Sequence, residues 1–197
     1  MTPPLDAMTE ALVTAVPFAA DEAFAIVELG TGEGLLADAL LDRFPRATIV
    51  ALAGSEPSRT AAAGRLSRFT DRVRVRTFDV ASLDWWDVLF GADFVVSSRC
   101  LRQLNDAKKQ YLYKAAAERL SQRGALLIGD RIVPQRPSGP PVASAPDSHP
   151  AALFHHLVWL RHAGFAAVDC VWLNDGHAVF GGFKQAAASA PPLPAGS

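Results

Sequence analysis

Cysteine is nearly missing from this chain: Cys100 and Cys170 are the only two in 197 residues, too few and too far apart for a disulfide framework or a cysteine-rich zinc site. That scarcity suits a reducing compartment and leads us to expect a cytoplasmic protein with no metal site. An excess of charge is missing too. With 19 Lys and Arg against 20 Asp and Glu, the formal net charge is -1, so no global field draws the chain to nucleic acid or anionic lipid. No apolar run approaches the roughly 20 residues of a membrane span, and the N-terminal MTPPLDAMTEALV lacks the basic segment and long apolar stretch of a signal peptide. Apolar side chains, by contrast, are plentiful. Half of the residues are hydrophobic and a fifth are charged; a chain of this length buries roughly 70% of its unfolded surface and can fold as one domain without a staple. The high usage of alanine, arginine and proline points to a GC-rich bacterial source.

From residue 24 onward, short apolar runs alternate with helical patterns. Phe24 to Leu29, Ala47 to Ala53, Val73 to Phe78, Asp93 to Ser97 and Ala125 to Asp130 read as strands bounded by Gly, Asp or Ser. Leu36 and Leu40 share a helical face before Pro45, and Leu112, Ala116 and Leu120 repeat at four-residue spacing after the capping-type Asn105-Asp106. Near-continuous apolar strands separated by helices indicate parallel pairing with both sheet faces covered. The class is therefore α/β, doubly wound. Residues 134–150 carry six prolines and read as a loop. A helix from Leu153 to Ala163 follows, then strands Ala166 to Leu173 and His177 to Phe183, joined by Asn174-Asp175-Gly176 as an antiparallel hairpin. The small-residue, proline-rich tail 185–197 is expected to be disordered.

The most informative segment is Val27-Glu28-Leu29-Gly30-Thr31-Gly32-Glu33-Gly34, a strand that ends in three alternate glycines and enters a helix. Glycine lets the chain turn tightly and lets a ligand approach the backbone, while the helix start beyond offers free amides. The spacing is G-x-G-x-G, not the G-x-G-x-x-G of a dinucleotide site, which argues against a nicotinamide enzyme.

Together with Thr77-Phe78-Asp79-Val80, with Asp93-Phe94-Val95-Val96-Ser97-Ser98, and with Gly124-Ala125-Leu126-Leu127-Ile128 before Asp130, this turn resembles the class I S-adenosylmethionine (SAM)-dependent methyltransferases, in particular the small-molecule type. The resemblance covers residues 24–184. It implies a Rossmann-like, seven-stranded, mostly parallel sheet of order 3-2-1-4-5-7-6 with the last strand antiparallel, in a single domain over 1–184 with a short N-terminal lid, 1–23. It also implies roles. Glu28, Gly30, Thr31, Gly32 and Gly34 would surround the methionine and ribose of SAM, with Gly54, Ser55 and Glu56 beside the ribose. Asp79 would accept from the adenine amino group and the Val80 amide would donate to the ring. Ser97 and Ser98 would line the methionine end near the departing methyl.

Two departures shape the expectation. Where the family ends its second strand on an acidic residue for the ribose hydroxyls, this chain has Ala53, leaving Glu56 as the substitute acceptor or as a simple helix-start residue. The lid is short as well, so the pocket would be open or would need a homodimer or partner subunit to close it. Arg99 and Arg102, after the fourth strand, are candidates to meet an anionic small-molecule substrate. His155 and His156 are candidate general bases, although adjacent helical positions diverge by about 100 degrees and cannot both face one ligand. Six arginines between residues 59 and 76 could form an RNA-facing patch, but Arg72, Arg74 and Arg76 alternate along an edge strand, where charge prevents edge-to-edge aggregation. Trp85-Trp86 reads as core packing. The expected activity is methyl transfer to an oxygen, nitrogen or carbon nucleophile. The alternative is a diverged member of the same fold that does not methylate, serving as a repurposed biosynthetic catalyst such as a cyclase or as a partner subunit.

Overall fold

The computed structural model describes residues 6–69, 71–82, 85–133 and 148–185. Of the proline-rich stretch only 148–150 lie within these bounds, and the tail beyond 185 lies outside them. The elements run α1 (Ala7–Thr14), β1 (Ala25–Leu29), α2 (Leu35–Arg43), β2 (Thr48–Ala53), α3 (Glu56–Arg65), β3 (Val73–Thr77), β4 (Phe94–Ser98), α4 (Asp106–Arg119), β5 (Ala125–Arg131), α5 (Leu153–Ala163), β6 (Ala167–Asn174) and β7 (His177–Phe183). Short 3-10 turns occupy Leu66–Phe69, Trp86–Leu89 and Leu101–Gln103.

Local chemistry sets the ends. Asn105 caps α4 by accepting from the Lys108 amide at 3.0 Å, and Ser55 caps α3, with Pro57 in its first turn. Gly164, at φ 106, closes α5. The strands form one sheet of order β3-β2-β1-β4-β5-β7-β6, in which β7 runs antiparallel to both neighbours. Asp175 and Gly176 both adopt positive φ in the turn between β6 and β7, the geometry a tight hairpin needs.

Two apolar layers flank the sheet. On one face Leu12, Leu40, Leu41 and Ala62 of α1, α2 and α3 pack on Ile49, Phe94 and Leu127. On the other, Leu112 and Leu160 of α4 and α5 join Trp85, Trp86 and Phe180. The two indoles are buried and stacked, with centroids 5.0 Å apart. Strand β7 approaches its neighbours so closely that a side-chain carbon at Gly181 would fall 2.1 Å from the Leu126 carbonyl oxygen.

The N-terminal segment, expected as a lid, supplies a core helix: α1 buries Met8 and Leu12, and a side-chain carbon at Gly129 of β5 would come within 2.9 Å of Leu12. Several of the clustered arginines are used internally. Arg59 chelates Glu56, Arg65 donates to the Glu33 carbonyl, and Arg68 spans Asp38 and Asp42. Arg72 donates to the carbonyls of Leu41, Phe44 and Ala47 at 3.1–3.3 Å, capping the C-terminal end of α2, where a cation also meets the helix dipole. Arg74 and Arg76 project exposed from β3. Arg72→Met is expected to cost about 2 kcal/mol and to lower the thermal midpoint by roughly 4–8 °C. An unchanged midpoint in a thermal scan would show that water replaces the guanidinium without loss.

Candidate functional site

The C-terminal ends of the parallel strands converge on a cleft of about 270 Å³, the position at which open α/β sheets bind ligands. Its floor is the glycine turn after β1. The amides of Gly30 and Thr31 both donate to the Leu52 carbonyl, at 3.0 and 2.9 Å, which ties the turn to β2. The three glycines are there for different reasons. A side-chain carbon at Gly30 would sit 2.6 Å from Cβ of Cys100, and one at Gly34 would press on Ala62 of α3 at 3.3 Å. At Gly32, with φ 55, such a carbon would meet nothing within 4 Å, so this glycine leaves room for a ligand, not for the protein.

The lining follows the strand order: Phe78, Asp79 and Val80 come after β3 at one end, Gly54 after β2 with Ser58 of α3 and Gly30 and Gly32 after β1 in the middle, and Ser98, Arg99, Cys100 and Gln103 at or after the end of β4, three strands from Asp79. Asp79 accepts from the Ala81 amide at 2.8 Å and is exposed. Beyond Val80 opens an apolar hollow of about 280 Å³, walled by Trp86, Leu104, Ala107 and Tyr111. Arg99 sits at φ 56, rare for a residue with a side chain. Its amide donates to the Gly129 carbonyl at 2.8 Å, and its guanidinium pairs with Asp6 at 3.2 Å.

Of the residues singled out in the sequence, Gly30, Gly32, Gly54, Asp79, Val80, Ser98 and Arg99 line this cleft. The others stand behind or beside it. Glu28 is buried beneath the turn, accepts from the Thr31 hydroxyl at 2.5 Å, and has its pKa pushed from the ordinary 4.5 to about 7 by burial. Gly34 packs α2 on α3, and Ser97 donates to the Leu29 carbonyl at 3.1 Å. Ser55 caps α3 and Glu56 is held by Arg59, so neither lines the cleft. Ala53 is buried, and among the described residues lining the cleft Asp79 is the one carboxylate.

Arg102 turns the other way, its amide 3.0 Å and its guanidinium 3.4 Å from the Asp130 carboxylate. The histidines are not brought to the cleft either. His156 is buried against Phe180 and hydrogen-bonds the Tyr113 hydroxyl at 2.7 Å; burial, then the nearby Lys109 ammonium, hold its pKa down to about 3, so it stays neutral. His155 is exposed and stacks on Trp159. Four cleft residues escaped the sequence reading: Ser58, Phe78, Cys100 and Gln103. Phe78 and Cys100 follow the ends of β3 and β4, a positional signal that sequence does carry, whereas Ser58 and Gln103 reach the cleft only through the placement of a helix and a 3-10 turn. Burial pushes the Cys100 thiol up to about 12, so it is a packing group for Gly30 and not a nucleophile.

No protein-family model matches this sequence, and comparison with curated proteins finds no match. Solved structures do resemble it. An O-methyltransferase family protein from Burkholderia thailandensis aligns over 91% of this chain and 56% of its own at 18% identity, with a TM-score of 0.76. PigF, solved with SAH, aligns over 90% and 54% at 16% identity, with a TM-score of 0.68. The N,N-8-amino-8-demethyl-D-riboflavin dimethyltransferase RosA from Streptomyces davawensis aligns over 88% and 52% at 21% identity, with a TM-score of 0.65. The chain spans about half the length of each of these proteins. At such identities the likeness is one of fold, and with its strand order it shows that this chain has the class I methyltransferase fold.

Proposed function

We propose that the chain is a SAM-dependent methyltransferase acting on a small molecule through an oxygen, nitrogen or carbon nucleophile. The observation that carries this reading is the glycine-floored cleft at the C-terminal strand ends, with an acceptor carboxylate at one end and a guanidinium at the other. The residues present fit the nucleoside: the space over Gly32 admits a ligand against bare backbone, and the cleft passes at Val80 into an apolar hollow suited to a flat ring. Asp79 and Val80 would hold the base, Gly30, Gly32, Gly54 and Ser58 the sugar, and Ser98 and Arg99 the amino-acid end. When bound, SAM supplies an electrophilic methyl group on a sulfonium.

The chain's own contribution is then to bind and orient, since holding two reactants in line can by itself be worth several orders of magnitude in rate. The described residues at the Ser98 end offer no base near neutral pH, because Cys100 stays a thiol and both histidines lie elsewhere. An acceptor whose nucleophile reacts without help, such as a phenolate, an enolate or an amine, fits this described lining. Internal use of Arg59, Arg65, Arg68 and Arg72 supports a small acceptor over RNA. Closure of the cleft by a second copy or a partner chain, in a cytoplasmic setting, belongs to the same proposal.

One observation favours a second reading. With Ala53 at the end of β2 and Glu56 tied to Arg59, the middle of the cleft lacks, among the described residues, a carboxylate for the sugar hydroxyls, as in a protein that keeps the fold but does not methylate. Calorimetric titration with SAM and SAH, followed by incubation with candidate phenols and amines, separates the two. Binding with SAH release on adding an acceptor is the expected result. Binding without release favours the second reading, and no binding of either nucleoside overturns the cofactor assignment.

A further inference from the structure

We propose that Arg99 reads the amino-acid carboxylate of the nucleoside ligand, and that Asp6 is the internal carboxylate that occupies the same guanidinium when no ligand is bound. The proposal rests on the SAM-dependent reading and names the residue that sorts its ligands. Three features of Arg99 point this way. It lines the cleft at the end opposite Asp79, so the described charged groups are ordered carboxylate to guanidinium along its length. A ligand with an amine at one end and a carboxylate at the other matches that order, and the planar guanidinium fork suits a carboxylate.

Arg99 also departs from the strand geometry that precedes it. At φ 56, with its amide fixed to the Gly129 carbonyl, it turns out of the line of β4 at the cleft wall. Residues with side chains adopt such conformations at a cost that persists where the surroundings over-determine them, and these positions cluster at ligand clamps.

Its present partner, finally, is itself a carboxylate. Asp6 lies 3.2 Å away, with both side chains about half exposed, 44% for Arg99 and 51% for Asp6. An ion pair so open to water is weak and exchangeable. Arg102, by contrast, is committed to the buried Asp130. Asp6 has a second task, since it caps α1 by accepting from the Thr9 amide at 3.0 Å. Asparagine caps a helix about as well as aspartate. Asp6→Asn therefore removes the competing charge while keeping α1 capped, which separates competition at Arg99 from anchoring of the helix.

The test is calorimetric titration of the full chain with SAH and with 5′-methylthioadenosine, which keeps the nucleoside and thioether but lacks the amino-acid group. The expected results are tighter binding of SAH by the wild type, a loss on the order of tenfold or more in SAH affinity in Arg99→Met with 5′-methylthioadenosine little changed, and a gain in SAH affinity alone in Asp6→Asn. The proposal is overturned if Arg99→Met leaves the ratio of the two affinities unchanged, or weakens both ligands alike. Should Arg99→Met fail to fold, Asp6→Asn decides: SAH affinity unchanged or reduced there refutes the competition. A wild type that binds neither ligand sinks the cofactor reading itself and this proposal with it, a result distinct from binding with an unchanged ratio.

Discussion

Glu28→Gln is expected to unfold at a higher temperature than the wild type at pH 8, and to lose that advantage as the pH is lowered to 4. The cause is burial. The Glu28 carboxyl lies under the glycine turn with one donor, the Thr31 hydroxyl, and its pKa is pushed from 4.5 up to about 7 because the charged form loses its hydration there. In the unfolded chain the group titrates near its ordinary value. Between pH 4.5 and 7 the folded state therefore holds a proton that the unfolded state has released, and stability falls as pH rises through that window. Below it both states are protonated and the penalty vanishes; above it both are charged and the penalty is constant. The difference in pKa corresponds to about 3 kcal/mol, or roughly 6–12 °C in midpoint for a chain of this size. Glutamine keeps an acceptor for Thr31 and has no proton to lose. Other carboxylates give both proteins a common pH dependence, so the informative quantity is the gap between the two melting curves. A gap that stays constant from pH 4 to pH 8 would show that Glu28 is ionised in the fold and reached by water or a counter-charge.

Gly32→Val is expected to abolish nucleoside binding, with a loss of roughly a hundredfold or more in SAH affinity, about 3 kcal/mol, while the protein remains folded. A carbon at this position meets no protein atom within 4 Å, so the valine has space in the fold and takes it from the cleft. The positive φ adds local strain for a β-branched residue, which a thermal scan would register as a modest drop in midpoint. Gly30 is the instructive contrast, because an added side-chain carbon there collides with Cys100 and would damage the turn before any ligand arrives. Calorimetry with SAH, run beside the thermal scans, distinguishes lost binding from lost folding. Undiminished SAH affinity in a folded Gly32→Val protein would place the site elsewhere on the molecule.

Much of the scaffold was legible in the sequence because its signals are local. Apolar strand runs ending in Gly, Asp or Ser marked β1 to β5 to within a residue or two, and the spacing of Leu112, Ala116 and Leu120 with Asn105 as the cap marked α4. The Asn174-Asp175-Gly176 turn announced the antiparallel hairpin because a two-strand reversal needs residues that tolerate positive φ. The order of the strands came through a resemblance and not through periodicity, since no local rule says which strand lies beside which.

The site divides along the same line. Gly30, Gly32, Asp79 and Ser98 lie at or within three residues of the C-terminal ends of strands, the side on which an open sheet binds its ligand. Ser58 and Gln103 arrive from elements whose angle to the sheet is set by packing, and nothing in their neighbours' identities marks them. The histidine expectation missed for the same reason. A helical stretch containing His155 and His156 states that the two diverge, but not that Tyr113, forty-three residues earlier, waits inside for one of them. Arg72 read as an exposed edge charge, and only the approach of α2 reveals three backbone carbonyls in need of a donor. By itself, then, the sequence determined the elements, the backbone turn over which a ligand can lie and the absence of an acid at Ala53, because these depend on residues adjacent in the chain. Tertiary structure alone decided which side chains share the cleft, that Glu28 is buried with its pKa raised, and that Asp6 meets Arg99, because each of these depends on distances across the fold that no local pattern encodes.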